Sequence, residues 1–328
     1  MNLFNIVLLS CISLLSTVTA VEPEAVYDGG LGNGNVDLRI GTGGAGQSGL
    51  VKGESFNEFL ISFTNGQILS SALANTFIQE SVKNGTPPFK VAWYKSDTTI
   101  SINYLKTGTV DVGITYSPTA EKIAIDQGIA TSPSYYAFRD HFILVGPPEN
   151  PANISESSDI FEIFSKLHAS AEAADTNPPT RFLSRFDKSA TNIKESEFWI
   201  GIGQVPWAIP YSTWYHQYIA YPIQALTTTI LLKEHTITDR GTFLSISQDL
   251  QRQTKIYKAA TDNADDPLLN PAHLLIGARA TNKQKARLFA DWLVSPDGGQ
   301  KVIVNFKKNG EQLYSPAPSS TNKKRREG

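Results

Sequence analysis

Short apolar runs alternate with amphipathic stretches along the first half of the chain, and this alternation limits the fold more than any other feature. Residues 89–93 and 110–114 are rich in β-branched and aromatic side chains, as is typical of strands buried on both faces. Residues 100–105, between them, have helical spacing. A strand, a helix and a second strand in this order predict a parallel sheet covered by helices, so we expect an α/β protein.

The rest of the chain extends the same pattern. Residues 37–40 and 142–145 predict two more strands, and the second of them ends at a proline-rich break. Apolar residues that recur on one side predict helices over longer stretches. These stretches are residues 47–63, 69–82, 157–173, 283–294 and 298–306.

The length and composition of the chain are those of a soluble protein with two domains. It has 328 residues, of which 41% are hydrophobic and 18% are charged. A formal net charge of −2 provides no field that attracts nucleic acid, so we expect no nucleic-acid partner. The basic run at 323–326 falls in a terminal stretch, 318–328, that we expect to be disordered.

Residues 1–20 contain no Asp, Glu, Lys or Arg and end in small side chains after an apolar run. This predicts a secretory signal peptide cleaved after Ala20, and hence a secreted protein, periplasmic if the source is bacterial. Acylation of Cys11, the only cysteine, is the alternative and would make the protein a lipoprotein. Sequons for glycosylation begin at Asn84 and Asn153, and they would be used only in a eukaryotic secretory pathway.

A glycine-rich segment at 41–49, between a predicted strand and a predicted helix, is the first candidate ligand site. Glycines let the backbone approach a ligand closely, and a helix start presents free N–H groups to an anion. The candidate residues are Thr42, Gly43, Gly44 and Ser48. The segment also fits the dinucleotide fingerprint, but the acidic residue that this fingerprint requires is missing from 61–66. A plain turn is the remaining alternative.

Two arginines in separate segments are the candidate cations. Arg185 lies just before a predicted helix, and an arginine beside a helix N-terminus can donate two hydrogen bonds to one anion. Arg240 follows Asp239, a predicted helix cap, and we expect its side chain to point into the ligand cleft. Pairing of Arg185 with a surface acid is the alternative. The hydroxyl candidates in these two segments are Ser184, Ser189, Thr191, Thr238 and Thr242.

A third candidate donor group lies in the turn before the helix predicted at 100–105. Thr98 and Thr99 follow Asp97 there, and helix capping explains this arrangement as well as ligand binding does. An anion without protons needs only donors, whereas a protonated phosphate would also need an acceptor. Asp187 or Asp239 would provide that acceptor, with salt bridging or capping as the alternative roles.

Several segments, taken in their order and spacing, resemble the tungstate/molybdate-type substrate-binding proteins of ABC importers. They are residues 184–191, 238–243, 266–271, 291–296 and 309–314, and the resemblance runs from about residue 36 to residue 316. It implies a two-lobed type II periplasmic-binding-protein-like fold with the ligand cleft between the lobes. Lobe one would then be residues 36–145 with a return over 263–317, lobe two residues 146–262, and residues 21–35 a flexible leader.

The resemblance also implies a function. It indicates a non-catalytic, monomeric binding protein for a small tetrahedral oxyanion, tungstate or molybdate first, with no cofactor and with an ABC importer as partner in a bacterium. Arg185 and Arg240 would both contact the anion. The glycine-rich segment departs from the family, because only Thr42 stands where the family has consecutive hydroxyl residues.

Residues 199–221 depart most from that family, because they are longer and more aromatic. They contain three of the five tryptophans, Trp199, Trp207 and Trp214. Core packing explains such residues; the alternative is a contact surface, which would make the chain a secreted interaction protein with a weakened anion cleft. The five histidines lack metal-ligand spacing and no nucleophile motif is present, so we expect neither a metal site nor an enzyme.

Overall fold

The computed structural model describes residues 21–43, 69–308 and 310–318. The predicted signal peptide, the predicted helix over 47–63 and most of the predicted basic tail lie outside these residues, as do Gly44 and Ser48. Among the described residues, no helix combines the length and the apolar character that a membrane crossing requires.

Strands and helices alternate through the described residues. The strands are β1 (Ala25–Tyr27), β2 (Val36–Thr42), β3 (Lys90–Lys95), β4 (Val112–Thr115), β5 (Ala130–Gly146), β6 (Phe182–Ser184), β7 (Tyr215–Gln217), β8 (Thr236–Asp239), β9 (Lys255–Ala259), β10 (Leu269–Gly277), β11 (Lys307–Lys308), β12 (Glu311–Gln312) and β13 (Ser315–Pro316). The helices are α1 (Leu69–Lys83), α2 (Thr98–Thr107), α3 (Pro118–Asp126), α4 (Ile160–Ala173), α5 (Ala190–Gly201), α6 (Pro222–Leu231), α7 (Arg240–Phe243), α8 (Gln248–Arg252), α9 (Lys283–Val294) and α10 (Gly299–Asn305).

Lobe one is built on a sheet in the strand order β1-β3-β2-β4-β10-β5-β13. β2 pairs in parallel with β3 and β4, whereas β10 runs antiparallel to both of its neighbours, β4 and β5. The sheet is therefore mixed, which corrects the prediction of a parallel sheet. The reason is the route of the chain: β5 leaves lobe one for lobe two, and β10 returns in the opposite direction.

β5 is the structural link between the lobes. It is 17 residues long; its first part pairs with β10, and its last part, 142–146, pairs with β8 and β9. Each lobe has its own hydrophobic core, one including Phe138 and Ala272, the other including Phe142 and Leu268. The chain thus passes between the two cores twice, along neighbouring strands. The predicted α/β class with two lobes is confirmed.

The segment before β2 differs from the predicted flexible leader at 21–35. Ala25 pairs with Trp93 as β1 adds an antiparallel strand to the edge of the lobe-one sheet. The Gly29 amide donates a hydrogen bond to the Asn75 side chain at 3.1 Å, which fixes the following turn on α1. This edge strand contains the apolar pair Val26 and Tyr27, both of residue types that favour strands. The sequence did not indicate it, because glycines and acids surround the pair.

Candidate functional site

The two lobes enclose a small cavity of about 50 Å³, which we call the inner cavity. It lies where β2, β3 and β4 end, as expected for a ligand site at the carboxyl ends of parallel strands. The predicted residues that line it are Gly43, Thr98, Arg185, Ser189 and Thr191. The other polar residues that line it are Ser96, Asp97, Tyr116, Asp140, Asp239 and Asn270.

Lobe one contributes the turn between β3 and α2. Asp97 caps α2 by accepting a hydrogen bond from the Ile100 amide at 2.7 Å. This cap directs Thr98, which is buried, toward the inner cavity and leaves Thr99 exposed on the helix. Of the two predicted threonines, only Thr98 therefore lines the cavity.

Gly43 is required by the close approach of β2 to this turn. A Cβ at Gly43 would lie 2.1 Å from the carbonyl oxygen of Ser96, a distance that no side chain permits. Thr42 is buried beside it, and its hydroxyl donates to the Gly43 carbonyl at 3.2 Å. Thr42 thus supports the end of β2, while the backbone of Gly43 reaches the cavity.

Lobe two contributes Arg185 and the start of α5. Ser189 caps α5 by accepting from the Asn192 amide at 3.4 Å. The Arg185 guanidinium pairs with Asp187 and also donates to the Ala220 carbonyl at 3.3 Å and to the Thr191 hydroxyl at 3.5 Å. These contacts hold the guanidinium at the cavity wall with 12% of its side chain exposed. The alternative prediction, that Arg185 pairs with a surface acid, is met only in part, because only 17% of the side chain of its partner Asp187 is exposed.

Ser184 lies beneath this loop and does not line the inner cavity. Its hydroxyl donates to the Glu195 carboxylate at 2.7 Å and accepts from the Phe186 amide at 3.2 Å. Tyr215 donates to the other Glu195 oxygen at 2.7 Å. Burial raises the pKa of Glu195 to about 7, although these hydrogen bonds favour its charged form. Ser184 and Glu195 thus anchor the loop that carries Arg185, a role that the sequence analysis did not assign to Glu195.

The 238–242 segment reaches the cavity through Asp239 alone. Arg240 begins α7, and its guanidinium pairs with Glu311 at 3.0 Å with 41% of its side chain exposed. Thr242 donates its hydroxyl to Asp239 at 2.6 Å, and Thr238 is buried within β8. These positions correct the prediction that Arg240 points into the cleft, because the helix that Asp239 caps carries the arginine toward the return segment.

Two carboxylates form the floor of the inner cavity where the chain crosses between lobes. Asp140 is buried and accepts hydrogen bonds from the His141 amide at 2.8 Å and the Asn270 side chain at 3.1 Å. Burial raises its pKa to about 7, and the nearby charge of Asp239 adds to the rise. The sequence analysis missed Asp140, although it lies only two residues before the predicted strand 142–145.

A larger cavity of about 690 Å³, the outer cavity, continues from the inner one toward the surface. The two cavities share Ser96, Asp97, Arg185 and Ser189 as walls. At the mouth, the Lys95 ammonium of lobe one lies 3.9 Å from the centre of the Tyr221 ring of lobe two. This cation–π contact joins the two lobes across the cleft.

The aromatic segment 199–221 divides into a buried part and an exposed part. Trp199 and Trp214 are buried in the core of lobe two, and Trp207 packs against that core. Core packing therefore accounts for the tryptophans. Two other residues of the segment differ, because Tyr211 and Ile219 are 94% and 74% exposed.

Comparison with known proteins identifies the family of this chain. A family described as a PBP superfamily domain matches residues 51–297. A candidate anion-binding protein of an ABC transporter from Haloferax volcanii is 28% identical over 237 residues, which are 71% of this chain. The aligned part is 65% of that protein, so the chain spans just under two thirds of its length. The tungstate-binding protein TupA of Peptoclostridium acidaminophilum is 25% identical over 221 residues, which cover 64% of this chain and 70% of that one.

One solved structure is more similar still. It is that of a candidate metal-binding protein of the periplasm, 63% identical, with a TM-score of 0.80 and coverage of 90% of this chain and 99% of that chain. In the part of the present chain that the structure describes, no group of three or more His, Cys, Asp or Glu side chains is arranged to hold a metal ion. The inner cavity combines a guanidinium, hydroxyls, a helix N-terminus and carboxylates instead.

Proposed function

Because the chain belongs to the PBP superfamily, we propose that it binds a small tetrahedral oxyanion between its two lobes and releases it chemically unchanged. The observation that carries this proposal is the convergence of Arg185, Ser189 and Thr191 on an inner cavity that lies between the lobes. Fixed donors at a helix N-terminus, with one guanidinium beside them, are the groups that stabilise a desolvated anion.

The size of the inner cavity supports a small ligand. Its volume of about 50 Å³ is far below the roughly 300–1,000 Å³ of pockets that hold drug-sized organic molecules. Thr98 and the backbone at Gly43 would approach the same ion from lobe one. Donors from both lobes would then favour the closed arrangement when the ion is present.

The relatives suggest which ions to test and where the protein acts. Tungstate and molybdate come first, since one relative is named for tungstate binding and another for anion binding. With the predicted signal peptide, the protein would act outside the cytoplasm, in the periplasm of a bacterium, and deliver the ion to an ABC importer. The chain would do so as a monomer.

Titration calorimetry and native mass spectrometry test this function directly. The chain without its first 20 residues would be titrated with tungstate, molybdate, sulfate and phosphate, and with planar nitrate as the control ion. We expect one ion per chain for at least one tetrahedral anion and no binding of nitrate. A protein that binds none of the four tetrahedral anions would contradict the proposal.

A second candidate function rests on exposed residues of the 199–221 segment. Tyr211 and Ile219 each present apolar surface to solvent. The chain would then be a secreted interaction protein on the same fold, with a weakened anion cleft. Failure of all four tetrahedral anions to bind would favour this candidate over the first.

A further inference from the structure

The charges around the inner cavity do not match a fully deprotonated oxyanion. Three carboxylates line the cavity, those of Asp97, Asp140 and Asp239. Arg185 is the one cationic side chain among the described residues that line it, and Asp187 already pairs with that guanidinium. A proton-free dianion placed here would meet these carboxylates as like charges with no hydrogen to donate to them, which costs free energy in a partly desolvated site.

The two carboxylates of the cavity floor have partners of their own. Asp239 accepts hydrogen bonds from the amide and the hydroxyl of Thr242 at 2.8 and 2.6 Å, one on each oxygen. Asp140 likewise accepts one hydrogen bond on each oxygen, from His141 and Asn270. These contacts fix both side chains in the framework where the lobes meet.

Asp97 differs from the two floor carboxylates in its place rather than in its number of hydrogen bonds. Like them it accepts two, from the Ile100 and Thr99 amides as the cap of α2, of the about four that a carboxylate can accept. It lines both cavities from lobe one, and its electrostatic neighbours are Arg185 and Asp187 of lobe two. Burial raises the pKa of Asp97, and the charge of Asp187 adds to the rise. The ligand space therefore lies between a donor wall in lobe two and an acceptor in lobe one.

We propose that Asp97 is a specificity-determining residue that selects a tetrahedral oxyanion carrying a proton, of the phosphate or arsenate type, over proton-free tungstate, molybdate and sulfate. This inference rests on the proposed function. A protonated oxyanion donates its hydrogen to Asp97 while its other oxygens accept from Arg185 and Ser189. A proton-free oxyanion has only acceptors, so it meets Asp97 as a like charge without a hydrogen bond between them. The ions that the relatives' names suggest and the ion that the Asp97 acceptor favours are thus different members of one class.

The test compares four anions on three proteins by titration calorimetry near pH 8, where inorganic phosphate is mostly a monoprotonated dianion. We expect the parent chain to bind phosphate about tenfold or more tightly than sulfate, molybdate or tungstate, the effect of one charge-assisted hydrogen bond. Asp97→Asn keeps a residue that caps helices well but removes the charge. It should weaken phosphate binding about tenfold and tighten binding of the proton-free anions, so the preference shifts toward them.

Asp159→Asn is the matched control. Asp159 is an exposed cap of α4 that accepts from the Phe161 and Glu162 amides, so the same chemical change is made at a cap outside both cavities. Its ratio of phosphate to tungstate affinity should equal that of the parent. The inference is overturned if the parent binds a proton-free anion as tightly as phosphate, or if Asp97→Asn leaves that ratio unchanged. If the parent binds none of the four anions, the proposed function fails, and the inference fails with it.

Discussion

Arg185 and Asp187 form a pair whose charge is already balanced before any ligand arrives. The guanidinium also donates to the Ala220 carbonyl and the Thr191 hydroxyl, so it is held in one orientation at the wall of the inner cavity. Such preorganisation lowers the entropy that binding must fix, while Asp187 competes with the anion for the same donors. Because Asp187 already neutralises the guanidinium, Arg185 offers an anion directed hydrogen bonds more than a net positive charge.

The two arginines predicted to bind the anion make a matched pair for mutation. Arg185→Ala should weaken binding of the tightest tetrahedral anion by about tenfold or more, because one charge-assisted donor is lost. Arg240→Ala should leave that affinity unchanged, because Arg240 pairs with Glu311 at the surface. Calorimetry measures both. Equal affinities for the two variants would show that the anion site is elsewhere.

Glu195 predicts a pH dependence of stability that can be measured without any ligand. Its pKa is raised to about 7 in the folded protein from an ordinary value of 4.5, because the side chain is buried. The folded protein therefore holds this proton more tightly than the unfolded chain does. The stabilisation is fully present below the unfolded pKa and is lost as the pH rises through about 7.

Glu195→Gln should remove this contribution. We expect the free energy of unfolding of the parent to fall between about pH 5.5 and pH 8, and that of the variant to fall less. Asp140, whose pKa is also raised to about 7 by burial, maintains part of the slope in both proteins. Urea denaturation at the two pH values measures the difference, and identical slopes would argue against a titrating Glu195.

At the scale of elements, the sequence predicted what local chemistry determines. Helices α1, α2 and α9 match the predicted stretches to within a few residues, because their apolar spacing and caps are local features. β5 was predicted only over 142–145, since its first part contains Pro133 and many polar residues. That part forms a strand because β10 pairs with it, which is a contact between distant segments. The antiparallel course of β10 was missed for the same reason.

The cap of α5 allows helix stability and ligand binding to be separated. Ser189→Ala should cost about 1 kcal/mol of stability, because the helix loses its cap, and should also weaken anion binding. Ser247 caps α8 in the same way but is exposed and lines neither cavity. Ser247→Ala should therefore cost a similar amount without changing affinity. Denaturation measures the stability of both variants, and calorimetry measures their affinity. An affinity equal to that of the parent after Ser189→Ala would show that the α5 N-terminus is not part of the site.

At the scale of the whole molecule, the sequence indicated the segments that line the inner cavity more fully than the charged groups around it. The 184–191 segment and the 97–99 turn were each candidates for the ligand site, and the structure brings Arg185, Ser189 and Thr98 to one cavity. Asp140 could not be assigned, because its position depends on where β5 crosses between the lobes. Arg240 was misplaced for a related reason: its partner, Glu311, lies 71 residues away in the return segment.

We expect contact across the mouth of the cleft to affect how readily the lobes separate. Lys95 lies over the Tyr221 ring at 3.9 Å, and a cation–π contact of this kind contributes about 0.5–1 kcal/mol at an exposed site. Lys95→Ala should therefore shift the balance between closed and open lobes toward open by roughly twofold to fivefold. Small-angle X-ray scattering of the ligand-free protein should show a larger radius of gyration.

Lys255→Ala is the matched control for this change. Lys255 lies 5.3 Å from the centre of the Tyr257 ring, but both residues belong to lobe two. Its loss removes a similar contact, together with an ion pair to Glu156 at 3.0 Å, without affecting the lobe–lobe junction, so the radius of gyration should match that of the parent. If both variants expand equally, the lysines act through general stability. If neither expands, the lobes are held together by the paired strands β5 and β10 at the crossing, and Lys95 does not act as a latch.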